Sequence, residues 1–353
     1  MLERRFEFQQ RIGLTKLRVN PPEHTRMRAM ARATFAPARV EAMRAAVTEL
    51  VDGCLDRMAE KVDCDVMTDL GLPLSVGVIG NLVGIPPEEH ERFRRPFVPG
   101  GEFVYGLHPS DDDLDRAERA LEELEGVLRD LIAERRVRPR RDVISDLLAV
   151  RSEDGKPLAE SDVLTMAFVL FLAGFVTATH LIGNGLLALF RHPEQMARLW
   201  ADGSLVPSAI EEMLRWESPF QWVTRNALEP AKMEDLILEK GDTVIVLLGS
   251  ANRDGDRFPE PDRFDVARPD NKPLAFGWGI HHCLGAALAR LEGEVAFHRL
   301  RERFELELLD EDPPLAPSLM SGSLRGYRCL PVRVSPLRMR APVSDSSVGL
   351  KTS

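Results

Sequence analysis

From Pro37 to Ala149 apolar residues recur at helical spacing, with breaks at Gly84-Ile85-Pro86-Pro87, Pro99-Gly100-Gly101 and Arg138-Pro139-Arg140-Arg141. Glycine and proline interrupt helices at such points, so a succession of helices is predicted. The acidic run from Ser110 to Asp115 places a capping residue and negative charge at a helix start, where the helix dipole favours them. A longer helix is predicted from near Ser161 to Arg191-His192-Pro193. Its apolar run, Val163 to Val176, contains Thr165 and Gly174 and falls short of a membrane span, which describes a buried core helix. Leu284, Leu288, Leu291 and Val295 mark another helix, with Ala286, Ala287 and Ala289 between them. Short strands are predicted within 218–225, 241–248, 304–309 and 330–334, the second being rich in β-branched residues. The pattern is mainly α with small β-sheets. Residues 1–340 read as a single domain, and 341–353, which lack periodicity, read as a disordered tail.

Composition narrows the partners. The 353 residues are 44% apolar, enough for a large core. Against 46 basic residues stand 56 acidic ones, a net charge of −10, whereas nucleic acid or an anionic membrane surface calls for a basic patch. Neither is expected as a partner. The chain opens on Glu3, Arg4 and Arg5 with no apolar leader, and a cytoplasmic protein is expected. Cys54, Cys64, Cys283 and Cys329 form no CxxC and no CxxCH, which argues against a redox dithiol and covalently attached haem. Three of the four read as small core residues.

Cys283 reads differently. It lies among Gly277, Gly279 and Gly285 and runs into the predicted helix, whose first amides and dipole favour an anionic sulfur. The glycines permit positive φ and bring backbone close to a flat ligand. A lone thiolate is poor zinc chemistry but suits an axial ligand of haem iron. A cluster of His281, His282 and Cys283 is a weaker alternative, because neighbouring residues rarely converge on one ion.

The spacing Phe276-Gly277-x-Gly279-x-His281-x-Cys283-x-Gly285 resembles the haem-thiolate loop of the cytochrome P450 family. Three more motifs follow in family order across roughly residues 20–335. The segment Asn20-Pro21-Pro22-Glu23-His24-Thr25-Arg26-Met27-Arg28 is similar to a helix entry whose His and Arg bind the haem propionates, with Asn20 in place of the usual Asp. Ala173-Gly174-Phe175-Val176-Thr177 is similar to the oxygen-activation motif, with Val176 where an acid normally stands. Glu212, Arg215 and the Arg263 of Pro259-Glu260-Pro261-Asp262-Arg263-Phe264 match residues that form a buried structural network.

The resemblance implies haem b held by Cys283 as metal ligand and by His24, Arg28, Ala173, Gly174, Arg225, Phe276, Gly277, His281 and Gly285. His24, Arg28, Arg225 and His281 would neutralise the propionates. It implies dioxygen activation opposite Cys283, with Thr177 as the catalytic hydroxyl, and a small apolar substrate lying against Phe168, Leu172, Val176, Val223 and Thr224. Electrons would come from a ferredoxin-type donor with its reductase, since the chain carries neither a flavin domain nor an iron-sulfur cysteine set. Thr179 and His180 are further candidates for proton delivery. The span from about Phe97 to Pro109 resembles a lid loop, and the turn from Met320 to Leu324 would sit over the substrate. Only 19 residues precede Asn20, where family members carry a substantial region. Either the start lies elsewhere or the substrate side is open. Valine cannot relay protons, which leaves two other readings: atypical haem-thiolate chemistry, such as oxidative coupling, peroxide-driven oxidation, nitration or isomerisation, or a non-catalytic recruitment module.

Overall fold

The structure is a computed structural model that describes residues 19–90, 111–151, 155–316 and 323–337. The expected lid span, the cap at Ser110, most of the 320–324 turn and the C-terminal tail lie outside the described residues. Eleven α-helices are found among the described residues: α1 (Glu23–Arg32), α2 (Pro37–Glu41), α3 (Arg44–Ala59), α4 (Leu72–Val83), α5 (Asp111–Val137), α6 (Val143–Ala149), α7 (Glu160–Arg191), α8 (Pro193–Ala201), α9 (Val206–Trp216), α10 (Leu248–Ala251) and α11 (Ala286–Arg303).

Helix α7 is the axis of the core. It is long and apolar enough to cross a membrane, yet most of its side chains are buried inside the fold, as expected of a core helix. Phe168, Phe171, Leu172 and Phe175 face inward, while Leu170, Ala173, Val176 and Thr177 remain half-buried. Gly174 has a packing reason. A Cβ there would lie 2.6 Å from Cγ1 of Ile79 on α4, so α4 and α7 approach closely only because the side chain is missing.

The strands are short and antiparallel. β1 (Asp63–Asp65), β7 (Pro331–Pro336) and β6 (Phe304–Leu308) form one sheet in the order β1-β7-β6. Cys64 pairs with Val332 and Leu306 with Val334. β2 (Val223–Asn226) pairs with β5 (Thr243–Val246), setting Arg225 opposite Val244. β3 (Ala231–Met233) and β4 (Leu236–Leu238) make a hairpin that the periodicity does not announce, because nearly all its side chains are exposed and no face alternates. One apolar cluster runs from Met27 to Val334. A smaller one joins Ala316 and Leu324 to Val176 and Phe220.

Candidate haem-thiolate site

The cysteine loop is built backward from a buried ionic network. Glu212 and Arg215 lie three apart on α9, and both are essentially inaccessible to solvent. Arg215 donates from Nε and Nη2 to the two oxygens of Glu212 at 2.7 and 2.8 Å. A planar guanidinium meets a carboxylate in this fork geometry. Its remaining hydrogens go to the carbonyls of Asn252, Pro261 and Arg263 at 3.0, 2.8 and 3.0 Å.

The expectation that Arg263 completes this network is corrected. Its side chain is 55% exposed and pairs with Glu260 at 3.0 Å, and only its carbonyl enters the network. The turn closed by the Arg263 amide on Glu260 directs Phe264 into the core and turns the preceding side chain outward. Arg268 takes the third place: its Nε lies 3.1 Å from Oε2 of Glu212, and it also donates to the carbonyls of Pro259 and Glu260. The Asp265 amide and Asn271 Nδ2 supply two further donors to Glu212. A fully buried carboxylate is thereby saturated with partners.

From this network a chain of hydrogen bonds leads to the cysteine. The Asn252 carbonyl accepts from Arg215, and its side-chain Oδ1 accepts from the Leu274 amide at 2.7 Å. The Leu274 carbonyl accepts from Gly277, and the Phe276 carbonyl accepts from the amide of Cys283, both at 2.8 Å. Gly277 and Gly279 adopt φ of +69° and +73°, conformations that L side chains rarely take. A Cβ at either would meet nothing within 4 Å, so both glycines of the loop face open space.

Cys283 does not head the helix as expected. α11 starts at Ala286 with Gly285 as its cap, and the Cys283 amide is spent on Phe276. Gly285 has an ordinary φ of −83°. The thiol is free and solvent-accessible, with protein atoms packed close around it. Burial therefore pushes the thiol above its ordinary pKa, while the Gly285 amide and the charges of Arg28 and Arg290 pull the other way.

Arginine and histidine side chains from three distant segments meet here. His24 on α1 packs against His281 with the rings tilted by 59° and their centroids 4.4 Å apart. Arg28, one helical turn on, donates from Nη2 to the carbonyl of His282 at 2.7 Å. Arg225 on β2 is exposed and contributes to the same field. Burial first, then the charges of His24, Arg225 and Arg28, push His281 below its usual pKa. Like charges so assembled call for an anionic ligand. Among the described residues no group of three His, Cys, Asp or Glu side chains forms a metal cluster, which removes the His281-His282-Cys283 alternative. The donor set present, one unpaired thiol, a glycine opening and converging cations, fits an iron porphyrin with two carboxylate tails.

Thr177 Oγ1 bonds back to the carbonyl of Ala173 at a long 3.4 Å, on the half-buried face of α7. Thr179 is committed to the Phe175 carbonyl at 2.8 Å, and His180 is buried. Of the expected pocket residues, Val176, Val223 and Thr224 are half-buried. Phe168 and Leu172 are buried in the apolar interior, on the same side of α7 as Val176, which follows them at four-residue intervals. Leu170 lies on the half-buried face and was hidden in an unbroken apolar run. Arg268, Asn252 and Asn271 had no periodic signal.

Comparison with known proteins agrees with this geometry. The family profile "Cytochrome P450" matches residues 110–327. The chain is 40% identical over 320 residues to Cytochrome P450 monooxygenase PikC of Streptomyces venezuelae, covering 90% of this chain and 75% of that protein. It is 38% identical over 323 residues to Vitamin D(3) 25-hydroxylase of Pseudonocardia autotrophica, covering 90% and 77%. The crystal structure of CYP109E1 from Bacillus megaterium in complex with testosterone superposes with a TM-score of 0.82 at 31% identity, covering 90% of this chain and 85% of that one. The chain belongs to the cytochrome P450 family of monooxygenases.

Proposed function

We propose that this chain is a haem b monooxygenase that inserts oxygen into a small, largely apolar substrate of natural-product or steroid type. The observation that carries the reading is the meeting of His24, Arg28 and His281 beside the free thiol of Cys283. Cys283 would hold the iron as a thiolate, since a coordinating thiol is deprotonated outright. His24, Arg28, Arg225 and His281 would hold the two propionates by charge-assisted hydrogen bonds. Gly277 and Gly279 would leave room for the ring, with Phe276, Gly285 and Ala173 lining it, while Gly174 is taken up by its close approach to Ile79. Bound haem supplies electron acceptance and dioxygen activation. Thr177, loosely bound to its own helix, offers a hydroxyl to order a water near the reacting centre. Leu170, Val176, Val223 and Thr224 present a mainly apolar surface to substrate.

Two electrons per turnover come from a ferredoxin-type partner and its reductase, in a cytoplasmic setting. The relatives named for vitamin D and crystallised with testosterone support a steroid-like substrate class. The test is to titrate the haem-loaded protein with testosterone, following the Soret band, then to supply a ferredoxin pair and NADPH. A saturable spectral shift and a product carrying one added oxygen are expected. Reductant consumed across a panel of steroids and macrolactones with no oxygenated product would contradict the reading.

One observation favours a second reading. Val176, like Phe220, packs against Ala316 and Leu324, so the position that carries an acid in the oxygen-activation motif is an apolar plug. This supports peroxide-driven or other chemistry that needs no proton relay. Faster product formation with peroxide than with the ferredoxin pair would favour it; the reverse would remove it.

A further inference from the structure

Arg290 lies on α11, two turns beyond Cys283, and has no part in the propionate set or the Glu212 network. Its guanidinium carbon sits 4.6 Å from the ring centroid of Phe276. Its Nη2 donates to Oε2 of Glu211 at 3.1 Å, and Nε donates to the other oxygen of that carboxylate. Both charged side chains are partly screened, 34% and 21% exposed. Glu211 and Glu212 are adjacent on α9 and so point to different faces. One turns into the buried network and the other toward the cysteine loop.

Phe276 is the residue whose carbonyl holds the Cys283 amide. A cation over an aromatic face is attracted by the ring quadrupole, the more so where water is scarce. Arg290 therefore grips one side of the hydrogen bond that shapes the sulfur's surroundings, and Glu211 fixes where the guanidinium can sit. Its charge also reaches Cys283 itself.

We propose that Arg290 is a positioning residue that, stacked on Phe276 and held by Glu211, sets the reduction potential of the iron bound to Cys283. The proposal rests on the haem-thiolate reading above. A positive charge near the thiolate favours the more electron-rich ferrous state, and Glu211 partly cancels that charge. Removing one or the other thus moves the potential in opposite directions, which a purely structural role does not do.

The experiment is spectroelectrochemistry on haem-loaded wild type, Arg290→Gln, Arg290→Lys, Glu211→Gln and the control Arg299→Gln. Arg299 lies on the same helix but pairs with Asp52. Expected are a more negative midpoint for Arg290→Gln, a more positive one for Glu211→Gln, partial rescue by Arg290→Lys, which keeps the charge without the flat stack, and no shift for Arg299→Gln. If Arg290→Gln does not hold haem, the positive shift of Glu211→Gln carries the test alone. An unshifted Glu211→Gln, shifts of one sign in both variants, or an equal shift in Arg299→Gln overturns the proposal. Wild type lacking the thiolate-specific carbon monoxide band would instead fail the haem-thiolate reading itself.

Discussion

Arg268 Nε lies 3.1 Å from Oε2 of Glu212, within a carboxylate that is shared with Arg215 and shut off from solvent. The two guanidiniums are offset by one carboxylate and by a ring of backbone carbonyls. Removing one buried partner from such a set leaves acceptors without donors and costs about 3–5 kcal/mol. An exposed pair such as Arg263 with Glu260 contributes about 0–1 kcal/mol. Urea unfolding of Arg268→Ala and Arg263→Ala therefore separates them: a large loss for the first and a change within about 0.5 kcal/mol for the second.

Gly174→Ala sets a helix-propensity gain of about 1 kcal/mol against a clash with Ile79, whose Cγ1 would lie 2.6 Å from the new methyl. Overpacking a rigid core costs about 1–3 kcal/mol, so the variant is expected to be less stable than wild type. A double-mutant cycle with Ile79→Ala should show a favourable coupling above about 0.5 kcal/mol. Additive effects would mean that the two helices do not meet there.

His180 is buried, its Nδ1 has no hydrogen-bond partner among the described residues, and it packs against the backbone at Gly326. Burial lowers its pKa to about 4, against about 6.5 in an unfolded chain. The unfolded state therefore binds the proton more readily. The stability from keeping this ring neutral is present above the unfolded value and is lost as pH falls from about 6.5 to about 4, in total about 3 kcal/mol. As pH falls across that range, wild type should lose about 3 kcal/mol of unfolding stability relative to His180→Leu, because only wild type carries this acid loss. Parallel pH profiles would contradict the assignment.

Val176→Glu places a carboxyl against Ala316 and Leu324. Burying such a group without a partner costs about 1–3 kcal/mol. The expected outcome is a lower melting temperature and no improvement in the fraction of reductant spent on product. Tight coupling gained by this substitution would show that the apolar cluster opens to water.

The fold class and the residues bracketing the sulfur were legible because they carry local signals. Phe276, Gly277, Gly279 and Cys283 stand at fixed spacing, and α7 declares itself by length and apolar content. What was not legible depends on long-range turns. Whether Arg263 or Arg268 reaches Glu212 is decided by how Phe264 anchors its turn, and neither residue's periodicity records that. Phe168, Leu172 and Val176 recur four apart on α7, but in an unbroken apolar run composition does not say which of them faces a pocket and which only fills the core. Arg290 carries no sequence signal, because an arginine at an ordinary helical position says nothing until the ring it covers is known.

The central claim is that the Cys283 sulfur is the iron ligand, and the most direct measurement is the carbon monoxide difference spectrum of the reduced, haem-loaded protein beside Cys283→Ser. A thiolate-specific Soret band in wild type that disappears in the variant is the predicted result. The same band, undiminished, with serine at 283 would contradict it.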